Sequence, residues 1–181
     1  MKFTETRLKG AYVVELEPIS DERGFFARSW CEREFGSSGL EARLVQCNIS
    51  FNRSRGTLRG MHYQVPPFEE DKLVRCTRGS IHDVIVDLRR NSETFGNHIG
   101  ITLTAENRTM LHIPKGFAHG FLTLEDETEV HYQMSEFYAP VCSRGFRWDD
   151  PAFKIEWPAE VRVISEKDKS YPDFDLATFG D

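Results

Sequence analysis

The sequence has 181 residues, of which 39% are hydrophobic and 29% charged, and its formal net charge is −6 at pH 7. A chain of this length can bury a sizeable core, so we expect one domain over residues 1–181 with one active site. The composition excludes a largely disordered chain, and the negative charge, without any Lys/Arg-dense block, argues against a nucleic-acid binder.

The predicted secondary structure is almost entirely β. Short segments rich in Val, Ile, Phe and Thr are separated by Gly, Pro or Asn, a pattern typical of antiparallel sandwiches and barrels. Helical turns are expected only at Cys31–Phe35 and after Pro151. The predicted strands, in chain order, are Ala11–Leu16, Gly24–Trp30, Leu44–Phe51, Thr57–Gln64, Lys72–Thr77, Ser80–Leu88, Ile99–Thr104, Met110–Ile113, Gly116–Leu124 and Thr128–Met134.

Polar and apolar side chains alternate along the predicted strand Leu44–Phe51. Gln46, Asn48 and Ser50 share one face, and the other face is apolar. The polar face either lines a cavity or faces solvent, as half of most antiparallel strands do, and alternation alone does not decide between the two.

The segment Thr57–Gln64 concentrates residues that can carry chemistry. Strict alternation would point Arg59 and His62 to opposite faces of this strand, but Gly60 can host a β-bulge that turns one of them. A second histidine, His119, follows a predicted turn at the start of another strand.

Two histidines in a β-sandwich raise the possibility of a metal site. Metal-binding cupins carry a His-x-His pair followed by Glu, whereas this chain has Gln64 two residues after His62, so we expect no metal. His82, His98, His112 and His131 are interpreted as surface or packing residues.

The cysteine spacing and the N-terminal residues indicate the cellular compartment in which the protein works. The four cysteines are far apart, so we expect free thiols rather than a zinc site or disulfides. The first seven residues lack an apolar signal segment, and no apolar run is long enough to span a bilayer. We therefore expect a cytoplasmic protein without a membrane partner.

Several motifs occur in the same order as in the dTDP-4-dehydrorhamnose 3,5-epimerases, which the chain resembles from about Gly10 to Asp168. They are Gly56–Gln64, Lys72–Arg75, Asp83–Arg89, Ile113–Leu124, Phe137–Pro140, Arg147–Pro151 and Ser165–Asp168. The resemblance implies a cupin-type jelly-roll β-sandwich with short C-terminal helices, a homodimer, a nucleotide-sugar substrate and no cofactor.

The resemblance also implies the catalytic residues. Hydrogens at C3 and C5 of a 4-keto sugar lie next to the carbonyl, so a base can remove them if the enolate oxygen is stabilised. His62 would be the base, Asp168 would orient its imidazole, Lys72 would stabilise the oxyanion, and Tyr132 would return a proton from the opposite face. Taken singly, Tyr132 could be a core residue, Lys72 a surface residue and Asp168 an ordinary helix residue.

A second set of residues matches substrate-binding positions of that family. Arg23 matches the arginine that binds the diphosphate, and Tyr138 an aromatic residue near the nucleoside. Further predicted contacts to the sugar or the phosphates are Gln46, Asn48, Arg59, His119 and Lys167.

Three positions depart from the family pattern near its base-binding end. Arg28 replaces a common Glu, Ile19 a frequent aromatic residue and Ser143 a frequent Glu. A carboxylate suits the N3–H of thymine, whereas an arginine suits the acceptors of cytosine. Arg28 is therefore a predicted base contact, and a CDP-linked sugar is an alternative substrate.

The sequence is compatible with other functions on the same scaffold. The enzyme could invert only one of the two carbons, or the chain could bind nucleotide sugars without catalysis. The second alternative predicts the loss of His62, Tyr132 or Asp168, and all three are present. A metal-dependent cupin oxygenase is a third possibility.

Overall fold

The computed structural model describes residues 1–177 and residue 179. This part of the chain contains thirteen strands and two short helices. In chain order they are β1 (Lys2–Glu5), β2 (Tyr12–Glu15), β3 (Ile19–Asp21), β4 (Gly24–Phe26), α1 (Glu32–Ser37), β5 (Gln46–Asn52), β6 (Leu58–Gln64), β7 (Lys72–Arg78), β8 (Ser80–Asp87), β9 (His98–Thr104), β10 (Met110–Ile113), β11 (Phe117–Thr123), β12 (Thr128–Met134), β13 (Ser143–Gly145) and α2 (Glu166–Lys169).

The strands form two main antiparallel sheets. The six-stranded sheet has the order β1-β2-β10-β7-β12-β5, and the five-stranded sheet has the order β13-β6-β11-β8-β9. The remaining strands, β3 and β4, pair only with each other in a separate hairpin. This architecture confirms the predicted all-β jelly-roll sandwich, with α2 as a short helix near the C-terminus.

The main core lies between the two sheets because successive strand residues point to opposite faces. On β7, Val74 and Cys76 are completely buried and pack with Ile85 of β8 and Phe121 of β11. The same alternation turns Lys72 inward at the start of β7, where the apolar core gives way to a cavity.

Both sheets are also partly covered on their outer faces. Phe35 of α1 packs on Leu73 and Met110 of the six-stranded sheet. On the other side, Phe146 stacks on Phe153 with ring centroids 4.3 Å apart, and these rings cover the five-stranded sheet. The covering holds the segment before α2 against the sandwich.

The structure corrects some predicted element bounds. The strand predicted at Gly24–Trp30 ends at Phe26, because the chain then leaves the hairpin and leads into α1. The segment after Pro151 forms a turn and not a helix. Strands β1, β3 and β13 were not predicted; each has three or four residues and pairs with a single neighbouring strand, so its strand structure depends on that tertiary contact.

Candidate active site

A cavity of about 740 Å³ opens between the two sheets, a volume typical of sites for small ligands. Strands β5, β7 and β12 form one wall, β6 and β11 form the opposite wall, and α2 closes one side. The polar face of β5 lines this cavity through Gln46, Asn48 and Ser50. The two sheets therefore present polar groups to each other across a space that is large enough for a ligand.

A β-bulge in β6 turns both Arg59 and His62 into the cavity. His62 pairs with His119 on β11, but Arg59 pairs with Phe121, so β6 has one residue more than its partner in this interval. Gly60 lies there at φ 131°, and a Cβ on it would be 2.5 Å from the Cα of Gly120. The predicted bulge is thus confirmed, and it requires glycine for both conformation and space.

His62 is hydrogen-bonded to the buried carboxylate of Asp168. Its Nε2 lies 2.7 Å from Oδ1 of Asp168, at the N-terminal turn of α2, and Ser165 caps this helix by accepting from the Asp168 amide. Burial raises the pKa of the Asp168 carboxyl, but the hydrogen bond and charge of His62 and the Gly60 N–H outweigh burial and lower that pKa. Asp168 can therefore orient the His62 ring as an ionised carboxylate.

A second histidine–carboxylate pair lies next to the first. His119 Nε2 is 2.7 Å from Oδ1 of Asp83, which is completely buried on β8. We did not single out Asp83 from the sequence. The available signal was a carboxylate within an otherwise mostly apolar strand, where burial without a partner would be costly.

Lys72 and Tyr132 face the cavity from the six-stranded sheet. Lys72 forms an ion pair with Glu70, a second buried residue that the sequence analysis did not single out. Tyr132 packs against the main core and also lines the cavity. Burial raises the pKa of the Tyr132 phenol, and the nearby charge of Arg59 partly offsets this shift. The phenol therefore keeps its proton at neutral pH and can act as an acid.

The rim of the cavity carries Tyr138 and Lys167. Tyr138 is exposed in the loop after β12, and its backbone N–H donates to Gln46. Lys167 extends from α2 beside Asp168. With these two, ten of the twelve residues that were predicted to form the site line one cavity.

The other two predicted residues, Arg23 and Arg28, do not line the cavity of their own chain. Arg23 lies in the exposed turn of the β3–β4 hairpin and pairs with Asp21. Arg28 forms an ion pair with Glu34 of α1 at 2.9 Å. This hairpin pairs with no strand of either main sheet, so the fold of one chain does not place Arg23 at the cavity.

The described part of the chain has neither a cluster of metal ligands nor a membrane-spanning helix. Within residues 1–177 and 179, no three His, Cys, Asp or Glu side chains are grouped so that they could hold a metal ion. Neither helix in that part of the chain is long and apolar enough to cross a membrane.

The chemistry available in the cavity is proton transfer on two sides of a ligand. A carboxylate-backed imidazole projects from the five-stranded sheet, and a phenol and an ammonium project from the six-stranded sheet. A base and an acid on opposite walls, with a cation beside them, suit the removal and return of a proton next to a carbonyl.

The sequence matches known proteins over nearly its whole length. The family model described as dTDP-4-dehydrorhamnose 3,5-epimerase matches residues 5–175. The dTDP-4-dehydrorhamnose 3,5-epimerase of Methanothermobacter thermautotrophicus is 47% identical over 173 residues, which cover 94% of this chain and 92% of the relative.

Solved structures agree with the sequence match. A dTDP-6-deoxy-D-glucose-3,5-epimerase from Legionella pneumophila in complex with dTDP-4-keto-L-rhamnose superposes with a TM-score of 0.90 at 34% identity, covering 98% of this chain and 94% of that one. A 3'-monoepimerase from Streptomyces bikiniensis in complex with dTDP-quinovose gives a TM-score of 0.85 at 32% identity, covering 96% and 87%. The chain belongs to the dTDP-4-dehydrorhamnose 3,5-epimerase family.

Proposed function

We propose that the protein epimerises a nucleotide-linked 4-keto-6-deoxyhexose by removing a proton beside the carbonyl and returning one to the opposite face. The observation that carries this proposal is the His62–Asp168 pair on one wall of the cavity with Tyr132 on the other. The relatives named for this activity act on dTDP-linked sugars, which makes dTDP the first nucleotide to test.

Each step of the proposed reaction uses a group that the cavity presents. The His62 nitrogen that is not bonded to Asp168 takes the proton from C3 or C5, and the electron pair moves to O4. Lys72 stabilises the resulting enolate oxygen through its positive charge. Tyr132 then protonates the same carbon from the opposite side, so the carbonyl at C4 reforms and the configuration at C3 or C5 is inverted.

The substrate-binding residues divide along the length of the cavity. We assign Arg59, His119, Gln46 and Asn48 to the sugar and the phosphates, because their side chains line the cavity. Lys167 adds a positive charge at the rim, where a diphosphate would enter. Tyr138 is an exposed aromatic residue at the rim, and we assign it to packing on the nucleoside.

We infer that the working form is a homodimer. Strand β5 is an edge strand, and its apolar side chains Ile49 and Phe51 face outward and are exposed. The β3–β4 hairpin exposes Ile19 and Phe26 as well. A second copy that covered these surfaces would explain their apolar character, and it would allow Arg23 of one protomer to reach the diphosphate in the other. Sedimentation equilibrium of the wild-type protein tests this association.

The two candidate nucleotides, dTDP and CDP, differ in the groups that the base presents to Arg28. Arg28 favours a base with acceptors, but its ion pair with Glu34 competes with any contact to the base. Dissociation constants for dTDP and CDP, measured for the wild type and for Arg28→Glu, separate the alternatives. One exchanged charge-assisted hydrogen bond should change the relative affinity by about 1.5–3 kcal/mol. Tighter binding of dTDP that Arg28→Glu leaves unaltered would remove Arg28 from the base site.

The decisive experiment is deuterium incorporation from solvent into a panel of dTDP- and CDP-linked 4-keto-6-deoxyhexoses. Catalysed exchange identifies the nucleotide and the carbon together, and distinguishes double inversion from the single inversion named for the 3'-monoepimerase. Tight binding of a nucleotide sugar without exchange at C3 or C5 would instead support a binding protein without catalysis.

A further inference from the structure

The Lys72 side chain forms an ion pair with the Glu70 carboxylate, which is less exposed to solvent than Lys72. Its Nζ lies 2.9 Å from Oε1 of Glu70, and the exposed fractions of the two side chains are 10% and 4%. Both residues line the cavity. A buried pair of this kind leaves neither charge without a partner, and the loss of one partner leaves the other uncompensated.

The second oxygen of Glu70 is fixed by Gln64 on the opposite sheet. Gln64 Nε2 donates to Oε2 of Glu70 and to the carbonyl oxygen of Phe68, both at 2.7 Å, and it lies 3.2 Å from the carbonyl oxygen of Phe137. Gln64 Oε1 accepts from the Ala139 N–H at 2.6 Å. Because the nitrogen and the oxygen of the Gln64 side-chain amide both have partners, these contacts fix its orientation. The two oxygens of Glu70 therefore accept from different donors, Lys72 and Gln64.

This chain of contacts links parts of the site that are distant in sequence. Gln64 is the last residue of β6 in the five-stranded sheet, whereas Lys72 is the first residue of β7 in the six-stranded sheet. The Gln64 amide also binds the backbone on both sides of Tyr138. The ammonium in the cavity and the loop at its rim therefore share one hydrogen-bonded support.

We propose that Glu70 is a positioning residue that holds the Lys72 ammonium at the place where the enolate oxygen of the substrate develops. The inference rests on the proposed function, in which Lys72 stabilises that oxygen. Glu70 touches no reacting atom in this scheme. Its contribution is to fix the ammonium before the substrate binds.

The chemistry of lysine explains why such a support is needed. An ammonium on a flexible four-carbon stem has three N–H donors and many rotamers. One donor is used by Glu70, which fixes the position of Nζ and leaves two donors for the cavity. Stabilisation of a developing oxyanion depends on donors that are already in place, so an unsupported lysine would lose much of its effect.

Glu70→Gln is the informative substitution because it preserves size but removes the charge. Lys72 and Gln64 contact different oxygens of Glu70, so the single oxygen of glutamine can take the place of only one of these acceptors. If its amide nitrogen faced Gln64 Nε2, two donors would meet. Reversing Gln64 to relieve this would break the bond from Ala139 N–H.

We test the proposal with a double-mutant cycle between Glu70→Gln and Lys72→Met, measured as kcat and KM for epimerisation and as the Kd of dTDP. Glu70→Gln is expected to lower kcat by about tenfold or more, up to the roughly 10²–10³-fold loss typical of removing an oxyanion donor, and to leave Kd nearly unchanged. In the Lys72→Met background the same substitution should cause no further loss. Glu69→Gln, an equal change of charge at the adjacent position outside the cavity lining, is the matched control and should retain the wild-type kcat.

The possible outcomes are distinguishable. A wild-type kcat in Glu70→Gln, or equal losses with and without Lys72, would overturn the proposal. An active Lys72→Met would remove the role of Lys72 itself, and absence of exchange in the wild type would remove the proposed function. If Glu70→Gln fails to fold, Glu70→Asp replaces it, and recovery of most of kcat by this carboxylate supports positioning. Failure of both variants to fold would assign Glu70 to stability alone and overturn the proposal.

Discussion

Two histidine–carboxylate pairs lie at the cavity, with the same distance between nitrogen and oxygen but with different surroundings. His62 and His119 are cross-strand neighbours on β6 and β11, and each Nε2 lies 2.7 Å from a buried aspartate oxygen. The side chain of His62 is 39% exposed, whereas that of His119 is 11% exposed. Only the first imidazole therefore has wide access to a ligand in the cavity.

The two carboxylates also come from different parts of the fold. Asp83 is supplied by β8, the strand beside β11, so the sheet itself creates the His119–Asp83 pair. Asp168 comes from α2, which packs against β6 at a separation of 106 residues. The comparison shows that the same histidine–aspartate hydrogen bond can be built into two different structural settings. We infer that the first pair moves protons and the second fixes a ligand-binding side chain.

The largest expected effect would separate the two histidines directly. His62→Ala should reduce deuterium incorporation at C3 and C5 by roughly 10²–10⁴-fold, because it removes the general base, and should leave dTDP binding nearly intact. His119→Ala should mainly raise KM. Near-normal exchange in His62→Ala, or equal losses of kcat in both variants, would break the distinction between the pairs.

A smaller and more selective effect is expected for Tyr132→Phe. This variant keeps the ring that packs on the core but lacks the hydroxyl that returns the proton. Exchange with retention of configuration should continue while formation of the epimer falls, and nuclear magnetic resonance of the sugar in deuterated solvent measures both. Epimer formation at the wild-type rate would make Tyr132 a core residue and leave the proton donor unidentified.

The smallest expected effects are on the free energy of unfolding, and they compare the carboxylates of Asp168 and Asp83. Asp168→Asn and Asp83→Asn should each lower the free energy of unfolding at pH 7 by about 1–3 kcal/mol, because each alters a buried hydrogen-bonded partner. Only Asp168→Asn should also cause a large loss of exchange, since an amide does not stabilise an imidazolium as a carboxylate does. A comparable loss of exchange in Asp83→Asn would contradict the assigned roles.

The pH dependence of this stability has a defined sign. The folded-state pKa of Asp168 is lowered, so its ionised form stabilises the fold above the unfolded value of about 3.9, and the contribution is lost as the pH falls through the folded value. The difference between the wild type and Asp168→Asn should therefore shrink below about pH 4. Urea unfolding at pH 7 and pH 3 measures this change, and a difference that grew in acid would contradict the lowered pKa.

The sequence by itself determined the β class, most strand positions and most of the candidate site. Alternation placed Gln46, Asn48 and Ser50 on one face of a strand, and Gly60 indicated the bulge that brings Arg59 and His62 to the same side. These features are local, because strand period and glycine conformation depend on near neighbours.

Only the tertiary structure decided which face of β5 is interior and which carboxylate meets each histidine. The apolar face of that strand is the exposed one, the reverse of the usual arrangement, because the polar face closes a cavity with the other sheet. The roles of Asp83 and Glu70 depend on contacts across strands and sheets that carry no local signal. Arg23 lies in the turn of the β3–β4 hairpin, and Arg28 lies between that hairpin and α1, so both are outside the two main sheets. Their distance from the cavity was not evident from the sequence, because it depends on how these segments pack and not on strand period.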